Sequence, residues 1–284
     1  MPDAVRKRRR AARSSRPASR LISAFTAIIL LSPAGFQPAV AEPVLIAKKR
    51  ASQRTTFTDA EIARGFFKIA FGAEFSIAAR TGAGSRPDRI RKYEMPVRVY
   101  ADNRAKPDRR TQLAAVVADI QSKIAHIDIG MTETSAEANV VVTLVRDRDL
   151  PSMIRTLYGA ERARQIQKSL EPQCLSGFRR DDSYRIVTSN VLIAVDAGEF
   201  TFYDCIYEEL LQALGPINDD DSVPWTMFND NVQKGYFDVY DQYLLNILYH
   251  PRVRAGMTRD EVRVLLPEIL PDIRAFIAKT NNLK

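Results

Sequence analysis

Apolar residues recur along the chain at two spacings, and the changes between them mark out its elements. Ile62, Phe66, Ile69 and Ala70 share one helical stripe. Thr58-Asp59-Ala60-Glu61 precedes it, offering a hydroxyl N-cap and a glutamate three residues on, so a helix is predicted within 57–80. Thr81 to Pro87, rich in Gly, Ser, Arg and Pro, reads as a linker. Val97-Arg98-Val99-Tyr100 alternates as a strand, with Pro96 at its start or edge. Lys106-Pro107-Asp108 opens a helix reaching about Ile124, with Leu113, Val116, Val117 and Ile120 as its buried stripe. Val140 to Val145 is apolar enough for a buried strand.

Further on, Pro151 to Leu170 reads as helical, and Tyr184–Val187 with Val191–Val195 reads as a hairpin turning at Ser189-Asn190. A helix from about Phe202 to Leu214 has Ile206, Leu210, Ala213 and Leu214 inward and is stopped by Gly215-Pro216. Val239, Tyr243, Leu244, Ile247 and Leu248 form another stripe. A second capping box, Thr258 to Glu261, starts a last helical pattern that Pro267 and Pro271 must kink or divide. Strand, helix, strand, helix, two strands, helix is the order of an α+β layer with one sheet and a helical C-terminal part. About 240 residues fit one core. The organisation is therefore a single domain over 57–284, its core at 90–257 and its C-terminal helices at 258–284. Residues 42–56 lack apolar periodicity and read as a flexible leader.

The first 41 residues change the compartment. Eight basic residues from Arg6 to Arg20 precede the apolar run Leu21–Leu31, and Ala39-Val40-Ala41 supplies small residues for cleavage near Ala41-Glu42. This is the pattern of a signal peptide over 1–41, and it predicts a periplasmic or secreted protein. The apolar run is about half of what a spanning helix needs, so no transmembrane span is expected in the mature chain. Residues 1–41 hold eight of the 42 Lys and Arg and one of the 34 Asp and Glu. The remainder has 34 basic against 33 acidic residues, so the formal charge falls from +8 to +1. Nucleic acid is thereby excluded as an expected partner. Cys174 and Cys205 are the only cysteines, and a pair in an exported chain predicts a disulfide.

The chemistry concentrates in Glu208-Glu209-Leu210-Leu211-Gln212-Ala213-Leu214-Gly215-Pro216-Ile217-Asn218-Asp219. This run keeps the spacing of the zinc protease motif H-E-x-x-H-x-x-G-x-x-H, with Glu208, Gln212 and Asn218 at the ligand positions and Glu209 and Gly215 in place. His126 and His250 are the only histidines, so a three-histidine zinc site is excluded. Neither lies in a nucleophile motif, and His126, between Ile124 and Ile127, reads as a core or helix-end residue. No metal is expected on the leading reading, in which Glu208 and Gln212 form a polar network linking the helix to Asn218. The alternative is an oxygen site for Ca²⁺, Mg²⁺ or Mn²⁺ built from Glu208, Gln212, Asn218 and Asp219. Glu209 lies between the two helix faces. It is the catalytic base only if the site is active, with a metal or as a metal-free Glu/Gln site.

The run from Cys205 through Asn218-Asp219, the later Phe228-Asn229-Asp230, and Leu245-x-x-Leu248-Tyr249-x-Pro251-x-Val253-Arg254-x-Gly256-Met257 together resemble the family called domain of unknown function 2927. The resemblance implies an exported or lipoprotein-like bacterial protein of unassigned activity. A second resemblance is to the metzincin proteases, whose fold places a β-sheet above an active-site helix and a Met-containing turn beneath the metal. Met227 stands where that turn is expected. Together these imply a zincin-like mixed sheet on an active-site-like helix: a degenerate protease frame, more pseudoenzyme than enzyme. It would bind a peptide, a protein or a cell-envelope component, and the hairpin edge would receive an added strand.

Overall fold

The computed structural model of the protein describes residues 43–71, 89–169, 173–216 and 218–283. The segment 1–41 read as a signal peptide, the 72–80 end of the first helical region and the stretch 81–87 read as a linker lie outside the described residues.

Alternating apolar residues turn one face of the sheet onto the main helical layer, and the helix Leu150–Ser169 covers the other face at the strands Val140–Val145 and Ile186–Ala194. The sheet has five strands, β1 (Val97–Asn103), β2 (Ile129–Met131), β3 (Val140–Val145), β4 (Cys174–Arg180) and β5 (Ile186–Ala194). Their order is β2-β1-β3-β5-β4. β1 pairs in parallel with β2 and β3, and β3 in parallel with β5, while β4 is antiparallel to β5 and closes one edge. Val97, Val99, Val142, Leu144, Val191 and Ile193 point into the main core. Val145 and Leu192 point the other way, into a smaller cluster with Leu150, Ile154, Ala163 and Ile166. A strand covered on both faces needs apolar residues at nearly every position, which is why Val140–Val145 reads as an apolar run broken only by Thr143.

The helices are α1 (Val44–Ala51), α2 (Asp59–Ile69), α3 (Arg110–Lys123), α4 (Leu150–Ser169), α5 (Glu199–Ala213), α6 (Val239–Tyr249) and α7 (Arg259–Thr280). α4 supplies the smaller cluster and turns sharply at Gly159. α2, α3, α5, α6 and α7 contribute to the main core. Both capping boxes form, at Thr58 with Glu61 and at Thr258 with Glu261. α6 is buried at every position. α2 can lie against it because Gly65 has no Cβ, which would overlap the Tyr240 hydroxyl. The fold is α+β with a mixed sheet, as expected.

Three expectations are corrected. The leader is structured from Val44: α1 docks Ile46 into the core, and Lys49 Nζ donates to the Gln233 carbonyl at 2.9 Å. Ser189-Asn190 is no turn but the middle of β5. Ser189 is buried, and its hydroxyl donates to the Ala213 carbonyl at 2.9 Å, so a polar pair that normally marks a turn is held inside a strand by tertiary bonds. The hairpin partner is instead β4, with the reversal at 181–185. α7 runs as one helix through Pro267 and Pro271, because Leu266, Ile269, Leu270, Ile273 and Ile277 bury one face along its length. His126 takes the helix-end place of its two expected ones, just after α3 and exposed rather than in the core, with its ring 5.9 Å from that of His250. Among the described residues, no helix is long and apolar enough to cross a membrane.

Candidate functional site

α5 lies beneath the β4 edge and is tied to it twice. The Cys174–Cys205 disulfide forms as predicted, with the Cα atoms 5.7 Å apart. Two residues further along β4, Ser176 Oγ donates to Gln212 Oε1 at 3.3 Å. Gln212 in turn donates from Nε2 to Asp219 Oδ1 at 2.8 Å. Helical spacing puts Glu208 and Gln212 on the same face, so both meet the segment that leaves α5.

That segment has to reverse sharply. Gly215 adopts φ 140°, and a Cβ there would overlap the Arg91 carbonyl oxygen. This is the physical reason for glycine at that point of the motif. The turn brings Asp219 back along the helix, and the later part of the same loop brings Asp230 beside it. Glu208, Asp219 and Asp230 each place a carboxylate oxygen within 4.8 Å of the other two.

The electrostatics of this trio are one-sided. Burial, then the negative charges of Glu209, Asp219, Asp204 and Asp230, all push the Glu208 carboxyl well above its ordinary range. Asp230 is exposed, yet partial desolvation and the charge of Asp221 raise it too. Two neighbouring basic side chains are engaged elsewhere. Lys68 pairs with Asp220 at 3.2 Å, and Lys234 is held by Asp238 and the Trp225 carbonyl.

The predicted site residues divide. Glu208, Gln212 and Asp219 come together. The Asn218 side-chain N–H donates to the Lys68 carbonyl on α2 at 2.9 Å, while Gln212 turns its amide nitrogen toward Asp219 and its oxygen toward Ser176. The expected network from Glu208 through Gln212 to Asn218 is corrected, since Gln212 leads to Asp219 and Ser176. Glu209 is buried rather than between faces, and its charge reaches Tyr158 on α4, whose hydroxyl burial and that charge push up to about 12. Met227 packs in the core, and its backbone N–H donates to Asp241 Oδ2 at 2.9 Å.

Asp230 and Ser176 were not among the predicted site residues. The signal for Asp230 lay in Phe228-Asn229-Asp230, noted only as part of a resemblance. Ser176 carried none, since its role depends on β4 being the strand above α5.

No curated protein and no solved structure matches the chain. The model of a family described as "Protein of unknown function (DUF2927)" matches residues 59–268, which covers α2, the whole sheet, the α5 site and the start of α7, and the chain belongs to that family.

Proposed function

We propose that the protein is an exported, non-catalytic scaffold that takes up an extended peptide along β4. One observation carries this reading: among the described residues, β4 pairs only with β5, so the sheet edge beside the α5 site is unpaired. The Ala194 N–H donates to the Gln173 carbonyl at 2.9 Å, which fixes the ladder phase. Cys174, Ser176 and Phe178 then turn their backbone N–H and C=O groups outward. Those groups suit strand addition, in which main-chain hydrogen bonds give affinity and side-chain contacts give selectivity.

Export is supported by the basic and apolar N-terminal pattern and by the disulfide, a bond that persists in oxidising compartments. The absence of catalysis is supported by the residues at the protease-motif positions. Glu208 and Gln212 replace two histidine ligands, and the third position, Asn218, is committed to the α2 backbone.

Selection from a random decapeptide library, followed by titration of the winners into wild type and Phe178→Pro, tests the reading. Proline removes an outward N–H and leaves the β5 ladder intact, so affinity is expected to fall at least about tenfold, the equivalent of 1.4 kcal/mol. Equal affinity in the variant would show that the peptide lies elsewhere. Peptide cleavage that Glu209→Gln abolishes would overturn the non-catalytic part.

A further inference from the structure

Arg91-Lys92-Tyr93-Glu94 is a polar run in the sequence, yet Arg91, Lys92 and Tyr93 are all buried. The backbone there is pinned from three sides. The Ile90 N–H donates to the Met257 carbonyl at 2.8 Å, and the Ile90 carbonyl accepts from the Gly256 N–H at 2.9 Å. The Lys92 carbonyl accepts from the Ile186 N–H at 2.9 Å, and the Tyr93 N–H donates to the Tyr249 hydroxyl at 3.3 Å. Within this frame the Lys92 side-chain nitrogen donates to the Val253 carbonyl at 2.8 Å and lies 5.1 Å from the centre of the Tyr249 ring.

Lys92, Val253 and Tyr249 all line one cavity of about 440 Å³, so the amine stands at a cavity wall rather than inside the core. That volume is in the range of small-molecule sites. Among the described residues no carboxylate forms an ion pair with Lys92. The two acidic side chains of the lining are engaged elsewhere: Glu94 accepts from the Ala255 N–H at 2.9 Å, and Asp128 pairs with Arg98 at 2.8 Å. A lysine that is withdrawn from water and lacks a carboxylate partner favours the neutral amine. Burial accordingly outweighs the charge of Glu94 and pulls the pKa from 10.5 down to about 8.

A neutral amine at a cavity wall is the nucleophile of imine chemistry. Donating one N–H to the Val253 carbonyl leaves its lone pair pointing away from that oxygen. Arg254 follows Val253 directly and lines the same cavity, and its exposed guanidinium makes no hydrogen bond or ion pair with a described residue. A guanidinium presents a planar fork that matches a carboxylate.

We propose that Lys92 binds a small oxo acid covalently and reversibly, as an imine, with Arg254 holding the carboxylate of the ligand. The amine lone pair forms a bond to the carbonyl carbon as the C=O π pair moves onto oxygen. Both amine hydrogens then leave with that oxygen as water, and a C=N bond remains. Nothing is oxidised or reduced, and no co-reactant is consumed. The site uses none of the β4 residues, so it goes beyond peptide capture and stands without it.

Incubation of the whole chain at about pH 8 with pyruvate or 4-oxopentanoate tests the assignment. Sodium cyanoborohydride reduces any imine to a stable secondary amine, and peptide mass spectrometry maps it. With a pKa of about 8, roughly half of Lys92 is neutral at that pH, against about 0.3% of an ordinary lysine. A weaker base is a weaker nucleophile, which returns part of this gain, so Lys92 is expected to be labelled about tenfold faster than the exposed Lys48 and Lys106. Arg254→Gln is expected to slow labelling by either oxo acid at least about fivefold and to leave labelling by uncharged butanone unchanged. Labelling is read in wild type, so the result does not depend on how a Lys92 variant folds. Phe178→Pro is expected to lose peptide and keep the label, which separates failure of this site from failure of the strand edge. Labelling of Lys92 no faster than of Lys48 and Lys106 would overturn the proposal. Oxo-acid labelling that Arg254→Gln leaves unchanged would overturn the role of Arg254.

Discussion

Lys92 shows how much a single side chain can contribute to pH dependence. It is buried, its ammonium donates to the Val253 carbonyl at 2.8 Å, and burial pulls its pKa from 10.5 down to about 8. Between about pH 8 and 10.5 the unfolded chain holds this proton and the folded chain does not, so the group's contribution to stability rises with pH. That contribution is complete above 10.5 and is lost as pH falls through 8. The shift corresponds to an upper bound of roughly 3 kcal/mol. Urea unfolding of wild type and Lys92→Met at pH 7, 8, 9 and 10 should show their stability difference move in favour of wild type over that window. A constant difference would mean the lysine titrates normally. No sequence pattern around Lys92 marks it as buried, because its partner lies 161 residues away. Glu208 was visible for the opposite reason: motif spacing singled it out, although nothing in the sequence placed Asp230 against it.

At the scale of elements, the turn after α5 and the disulfide make separate predictions. Gly215→Ala has to accommodate both a positive φ and an overlap with the Arg91 carbonyl oxygen, neither of which a side-chain rotation can relieve. A loss of about 3 kcal/mol in urea unfolding is expected, at the upper end for a point change. A cost under 1 kcal/mol would mean that the backbone relaxes there. The Cys174–Cys205 link closes 31 residues, a span for which chain entropy gives about 3–4 kcal/mol. Cys174→Ala/Cys205→Ala is expected to lose that much, and free-thiol counting on denatured, unreduced wild type should find none. Two titratable thiols would remove the tie between β4 and α5. The elements legible in the sequence were those with a local signature: two capping boxes, the stripe of α3 and the apolar run of β3. β2 is three residues long and exists only through its pairing with β1. The real hairpin was missed because β4, with Ser176, Gly177, Arg179 and Arg180, carries little apolar alternation of its own. β5 contains the polar pair that resembled a turn.

Across the whole molecule, the site depends on a loop that has little regular structure. Residues 214–238 join α5 to α6 and carry both Asp219 and Asp230. The loop is held from α6. Buried Asp241 accepts from Thr226 Oγ1 at 2.5 Å and from the Met227 N–H at 2.9 Å, and it lies 3.6 Å from the Lys234 ammonium. The Asn229 amide donates to the Asp221 and Val223 carbonyls, each at 3.1 Å, and Asp204 on α5 accepts from the Lys234 and Gly235 N–H groups. Each end of the loop is thus anchored to a helix, and the carboxylates are positioned from both sides. Asp241→Ala removes the acceptor of a buried N–H and a partner of a buried ammonium, and a loss of about 3 kcal/mol in urea unfolding is expected. A cost under about 1 kcal/mol would show that the loop, with Asp219 and Asp230, is held in place without the anchor on α6.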